Sequence, residues 1–357
     1  MTGAPAPLRP PVGVRSPIAD PVITGVGLVV PWSDVPDQAL AELDRPGGPE
    51  PVEPGWFNAR ARLGPRGYKY LPPAGQYLLL AARRAIHDGG GLEHVAAHRR
   101  GATVGTNSGL AEVFDTMDRT VVESTADDLS PVTAPYFAIN VLSSRLAAEH
   151  EMKGFQLTLT SSRVAGLEAL ETGTRALAVG RCSLLIVAAM EHVLPGRGTG
   201  RPASEQGAVA LVIESAAGAR ARGVRPHGRC RTRTVFAPPT ATAGPEGRRR
   251  VRDLLGQALT AVGTEPGDPV HAVLDDSGVA RAVRAALADR PVASTVAPGA
   301  GCLNPMIRVA GLLAAGAGPA LVVVATAEGN IAVTRVAPDR FASDPSPSDP
   351  STGGPSC

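Results

Sequence analysis

The stretch QLTLTSSRVAGLEALETGTRALAVGRCSLLIVAA, residues 156–189, decides the fold. Its first five residues alternate as a strand does. From Val164 to Val179 the apolar period changes to three and four, with Leu167, Leu170, Thr174 and Leu177 on one face. Gly166 and Gly173 on that helix permit close backbone approach, and the β-branched and aliphatic run at 184–189 reads as a buried strand. A strand, a helix and a strand joined this tightly form a βαβ unit whose first turn is Ser161-Ser162-Arg163.

Outward from this unit, strands are expected at 22–30, 102–105 and 208–214, and helices at 76–87, 110–122 and 141–150. The pattern partly recurs downstream. Helices are expected at 252–262, 279–287 and 304–315, and strands at 272–274, 320–325 and 331–336. Alternation repeated in two halves implies a layered α/β fold with mostly parallel sheets. Residues 1–20 and 338–357 are rich in Pro, Ala, Ser and Asp, and are expected to remain disordered.

Composition narrows the function. A net charge of +2, from 35 basic against 33 acidic side chains, gives no footprint for nucleic acid or anionic lipid. The longest apolar runs, 184–190 and 320–327, fall short of the roughly 18 residues that span a bilayer. The N-terminus lacks the apolar core of a secretory signal, so the cytoplasm is the expected compartment. Cys182, Cys230, Cys302 and Cys357 form no CxxC pair and have no histidine at ligand spacing, so neither a metal nor a cofactor is expected.

Several segments carry a family resemblance. VITGVGLVVPW from Val22, LGPRGYKYLPPAGQYLLLAARRAIHDGG from Leu63 and PYFAINVLSSRLAAEHEMKGFQLTLTSS from Pro135 resemble, in order and spacing, the β-ketoacyl synthase family. GLEALETGTRALAVGRCSLLIVAAMEH from Gly166, SEQGAVALVIES from Ser204 and EGNIAVTRV near the end are similar to its later segments. The resemblance implies the thiolase fold, two similar halves in a five-layered αβαβα body, dimeric through the strand before the nucleophile. The halves would be residues 21–220 and a shortened 221–337.

That family needs a cysteine at the strand-to-helix elbow, where a helix N-terminus favours a thiolate and backbone N–H groups hold an oxyanion. The matching position holds Arg163, a permanent cation that cannot carry an acyl group. A shift of one residue would place Ser162 there instead. The two family histidines fall against the 274–278 stretch, with Asp276 at the first position, and against Cys302 at the second. Pro298 stands where a lysine is expected, and 325–328 lacks the gating phenylalanine. Ser161, Ser162, Arg163, Cys302 and Asn330 are the expected pocket-lining residues.

The combination resembles chain-length-factor subunits, which lack the active cysteine and pair with an active ketosynthase. It implies a non-catalytic subunit of a type II polyketide or fatty-acid synthase, as a heterodimer with that ketosynthase or as a homodimer, with an acyl carrier protein as further partner. The alternative is an acyltransferase or hydrolase of altered chemistry using Ser161, Ser162 or Cys302. His271 is read as a structural residue, Cys182 as core, and Tyr136 and Phe137 as interface or packing. The arginines 229, 231, 233 and 248–250 are read as solvated loops, with docking of an acidic carrier protein as the sharper alternative.

Overall fold

The computed structural model describes residues 20–50, 52–53, 55–196 and 203–339. The two segments expected to be disordered lie almost wholly outside these. Asp20 is described and bonds Arg229, and the last strand runs to Pro338.

The first half contributes β1 (Pro21–Val29), β2 (Arg100–Gly105), β3 (Gln156–Leu159), β4 (Leu184–Glu191) and β5 (Gly207–Ser215). The second contributes β6 (Gly228–Phe236), β7 (Val270–Leu274), β8 (Val292–Val296), β9 (Ala320–Ala325) and β10 (Asn330–Pro338). The strands lie in the order β3-β2-β4-β5-β1-β6-β10-β9-β7-β8, so each half repeats one strand order and the two meet back to back at β1 and β6. That seam is a single paired position, Ile23 with Gly228. The expectation of mostly parallel sheets is corrected. β2 is parallel to β3 and β4, and β7 to β8 and β9, but every pairing that involves β1, β5, β6 or β10 is antiparallel. The reason is the connections: among the described residues, β4 reaches β5, and β9 reaches β10, without the crossover helix that a parallel neighbour requires.

Three apolar cores give five layers. Helices α3 (Pro73–Asp88) and α5 (Val141–Glu149) cover the outer face of the first five strands. Helices α6 (Ala165–Ala178) and α10 (Leu303–Ala315) fill the middle, between the inner faces of both halves. Helices α8 (Gly244–Val262) and α9 (Gly278–Ala286) cover the outer face of the last five. This is the αβαβα arrangement of the thiolase fold. Close packing is enforced at Gly25 and Gly27 of β1, where an added Cβ would stand 2.0 Å from the carbonyl oxygens of Ala85 and Ala81 on α3.

Helices α1 (Pro36–Asp44), α2 (Ala59–Leu63), α4 (Ala111–Glu123) and α7 (Ala216–Ala221) complete the set. Strands β6 and β8 and helices α1, α2 and α7 are not among the expected elements. The arginines at 229, 231 and 233 therefore stand on a strand, while 248–250 lie on α8. No helix among the described residues is long and apolar enough to cross a membrane.

Candidate functional site

The site is the elbow between β3 and α6. Ser162 donates its backbone N–H to the Thr160 carbonyl at 2.8 Å and takes φ of 49°, a left-handed conformation that side chains disfavour. A 3₁₀ turn, Ser162–Val164, then feeds α6. Arg163 on this turn reaches across the mid-layer. Its Nε donates to the Gly299 carbonyl at 2.9 Å, and its Nη1 donates to Glu328 at 3.0 and 3.1 Å. Asp275 stands 3.7 Å from the same nitrogen.

Three segments that sequence alone ties together only by resemblance thus meet at one guanidinium. Asp275 also accepts the backbone N–H of Ala327 at 2.7 Å and of Ser277 at 3.0 Å, fastening the turn that carries Glu328. Asp276, the expected position, is exposed, and its carbonyl takes the Arg281 guanidinium. Asp275 rather than Asp276 is the residue at the elbow. Asn330 opens β10 two residues beyond Glu328.

Cys302 caps the N-terminus of α10 and is fully buried. Its N–H donates to Glu191 at 2.9 Å. Glu191, also fully buried, accepts in addition the N–H groups of Asn107 and Ser108 at 2.7 and 2.6 Å and the Ser108 hydroxyl at 2.7 Å. Glu205 accepts the Leu303 N–H at 2.7 Å. Burial first, and then the Glu191 charge, push the Glu205 carboxyl up to about 8. The Cys302 thiol is raised well above its ordinary value by burial and by both glutamates.

The chemistry available follows from these environments. A thiol held protonated at neutral pH is not a nucleophile. Ser162 neighbours Glu328, whose carboxyl is held below its usual range because hydrogen bonds and the Arg163 charge outweigh burial; it is a weak base. Among the described residues no histidine bonds to Ser161, Ser162 or Arg163. His192, next to Glu191 in sequence, bonds Glu112 at 2.9 Å and lies 3.4 Å from the Tyr77 hydroxyl. His271 bonds Ser294 at 3.0 Å, beside the pair that buried Arg308 makes with exposed Asp44. No group of side chains able to hold a metal occurs among the described residues. One consequence is directly measurable. Cys302 should resist alkylation in the folded protein and label only on denaturation, read by peptide mass mapping; rapid native labelling would overturn the buried placement.

The sequence profile described as "Beta-ketoacyl synthase, N-terminal domain" matches residues 22–210, more than half of the chain. The chain belongs to the β-ketoacyl synthase family.

No curated protein matches the sequence. Among solved structures, "The ishigamide ketosynthase/chain length factor" is similar with a TM-score of 0.69 at 23% identity, over 89% of this chain and 99% of the other. A type II polyketide synthase acyl-carrier protein in complex with its ketosynthase, AntDE:AntF, gives a TM-score of 0.69 at 16% identity, over 89% and 99%. A β-ketoacyl synthase from Burkholderia phymatum STM815 gives 0.69 at 16%, over 90% and 100%. These likenesses carry the fold. In this β-ketoacyl synthase chain, Arg163 was legible from the sequence. Glu191, Glu205, Asp275 and Glu328 were missed as site residues, although Glu191 closes a quoted strand, Glu205 is second in a quoted segment and Glu328 opens another.

Proposed function

We propose that the chain is a catalytically silent ketosynthase-like subunit of a type II polyketide or fatty-acid synthase, working in the cytoplasm beside an active ketosynthase and an acyl carrier protein. The observation that carries the reading is the Arg163–Glu328 ion pair at the elbow, in which both carboxylate oxygens accept from one guanidinium nitrogen where a family enzyme presents its nucleophile. The guanidinium is largely buried, bonded also to Gly299 and near Asp275, so it fills the place of the reacting group rather than offering one. Retention of the five-layered body without that group fits a role in assembly.

The surface supports a partner. β3 lies at the end of the sheet, an unpaired edge able to accept another strand, and Leu157 on it is exposed. Tyr70, Val132 and Phe137 in the same half are also exposed large apolar side chains. The similar structures include a ketosynthase/chain length factor and a ketosynthase with its carrier protein, and the partners proposed here take their kind from those.

The test is co-expression with an intact ketosynthase of the same gene neighbourhood, followed by size-exclusion chromatography with light scattering and a condensation assay using malonyl-loaded carrier protein. The expected result is a one-to-one complex that turns over, no turnover by this chain alone, and loss of the complex in Leu157→Asp without loss of its own fold. Turnover by the isolated chain, abolished in Ser161→Ala, Ser162→Ala or Cys302→Ala, would establish the acyltransferase or hydrolase reading instead.

A further inference from the structure

A groove of about 470 Å³ lies at the seam between the two halves, lined by Glu171, Thr174 and Arg175 of α6, by Arg231, Thr232 and Arg233 of β6, and by Gln257 of α8 among others. Arg175 lies 12 residues beyond Arg163, about 18 Å down the chain at helical rise, so the groove is remote from the elbow. It goes beyond the function proposed above and does not depend on it.

Three guanidiniums here face one carboxylate. Glu171 is buried and saturated: it accepts the Thr234 N–H at 2.7 Å and hydroxyl at 2.6 Å, and pairs with Arg233 at 3.3 Å and Arg175 at 2.5 Å. Arg231 is exposed and has no hydrogen-bond or ion-pair partner among the described residues. Nearby acids are held chiefly by other arginines, although the Arg231 charge also helps to lower the Asp20 carboxyl below its ordinary value. Asp20 binds Arg229 at 3.0 Å through both oxygens, and Asp268 binds Arg335 at 2.7 Å. Arg335 moreover stands directly opposite Arg231 across the β6–β10 ladder, a like-charge pair in which Asp268 pairs with Arg335 alone.

The backbone adds donors. β6 pairs with β1 only at Gly228, so its edge beyond that point is unpaired by strand. The Thr234 N–H on this edge donates to Glu171, and the two-residue period turns the N–H groups of Thr232 and Cys230 the same way. The neighbouring cavity on α8 is different, because Glu246 and Asp253 offset Arg249 and Arg250 there.

From the excess of guanidiniums, the exposed Arg231 with no hydrogen bond or ion pair among the described residues, and the open strand edge, we infer that this groove binds the phosphate or pyrophosphate group of one small anionic ligand. Arg231 and Arg233 clamp the oxygens, and Thr232 and Gln257 supply neutral contacts. The chemistry is that of a phosphate ester, free as in a nucleotide or coenzyme A, or carried as the phosphopantetheine arm of a carrier protein.

Isothermal titration of the full chain with pyrophosphate, ADP, coenzyme A, and carrier protein with and without its phosphopantetheine arm tests this. One pyrophosphate should bind per chain, weaken with salt, and weaken at least about tenfold in Arg231→Ala, whose side chain makes no hydrogen bond or ion pair among the described residues. Binding of ADP and coenzyme A alone assigns the free ester. Preferential binding of the arm-bearing carrier, lost in Arg231→Ala, assigns the arm. Absence of binding for all ligands at millimolar concentration, or equal affinity in a variant with an unchanged circular dichroism spectrum, overturns the inference.

Discussion

Replacing Glu191 with alanine is expected to lower the free energy of unfolding by about 5 kcal/mol, a large part of the roughly 5–15 kcal/mol that a domain possesses. The side chain is fully buried, and three backbone N–H groups, those of Asn107, Ser108 and Cys302, end on it within 2.9 Å. These donors have no other acceptor among the described residues, and a buried donor left unsatisfied costs about 1–3 kcal/mol. The loss is shared between the turn after β2 and the start of α10, so it loosens the two elements that frame the elbow. Easier ionisation of the nearby Glu205 offsets only a part, since burial rather than Glu191 is the larger cause of the Glu205 shift. Glu191→Gln should fall between, because its amide presents a donor to donors. Urea unfolding reads the effect as a lower midpoint at unchanged slope. A loss below about 1 kcal/mol in Glu191→Ala would mean that water reaches these N–H groups and that the buried network is wrong.

The residues that make the framework were legible because their periods are strong. The βαβ unit at 156–189 gave its strands and helix within a few residues of the observed β3, α6 and β4, and β9 falls where the aliphatic run places it. β6 was not legible. Its sequence GRCRTRTVF alternates arginine with small residues, so its two-residue period carries charge where a strand is expected to show apolar side chains, and it reads as a solvated loop. β8 (VASTV) is mostly exposed and borders only β7, so it lacks the two-sided burial that marks a strand. The site divides in the same way. Arg163 and Cys302 were found because they stand in for residues whose chemistry is recognisable. Asp275, Glu205 and Glu328 were not, because a carboxylate that caps a turn and one that holds an arginine are indistinguishable until the 275, 299–303 and 328 segments are seen to converge. Sequence spacing cannot carry that information, since the pairs are separated by 52 to 165 residues.

Glu205 should make the protein lose stability as pH rises from about 4.5 to 8. Its carboxyl is pushed up to about 8 in the fold, against about 4.3 in an unfolded chain. A raised folded value means that the native state holds the extra proton throughout that interval. The favourable contribution is therefore complete below pH 4 and gone above pH 8. At about 1.4 kcal/mol per pH unit the full swing is at most about 5 kcal/mol. The residue retains some exposure, but its Oε1 is sealed from water without a hydrogen-bond partner, so the carboxyl itself meets the burial that drives the shift. His94, His150, His192 and His271, whose folded values burial lowers, work in the opposite direction as pH falls through and below their ordinary range. Comparison with Glu205→Gln cancels them, since the amide mimics the protonated acid and leaves the histidines in place. The variant should match the wild type near pH 5 and exceed it by a few kcal/mol near pH 9, read from urea midpoints at each pH. A constant difference between the two across that range would show that Glu205 ionises normally, and that α10 is anchored through Leu303 by an ordinary carboxylate rather than by a proton held in place.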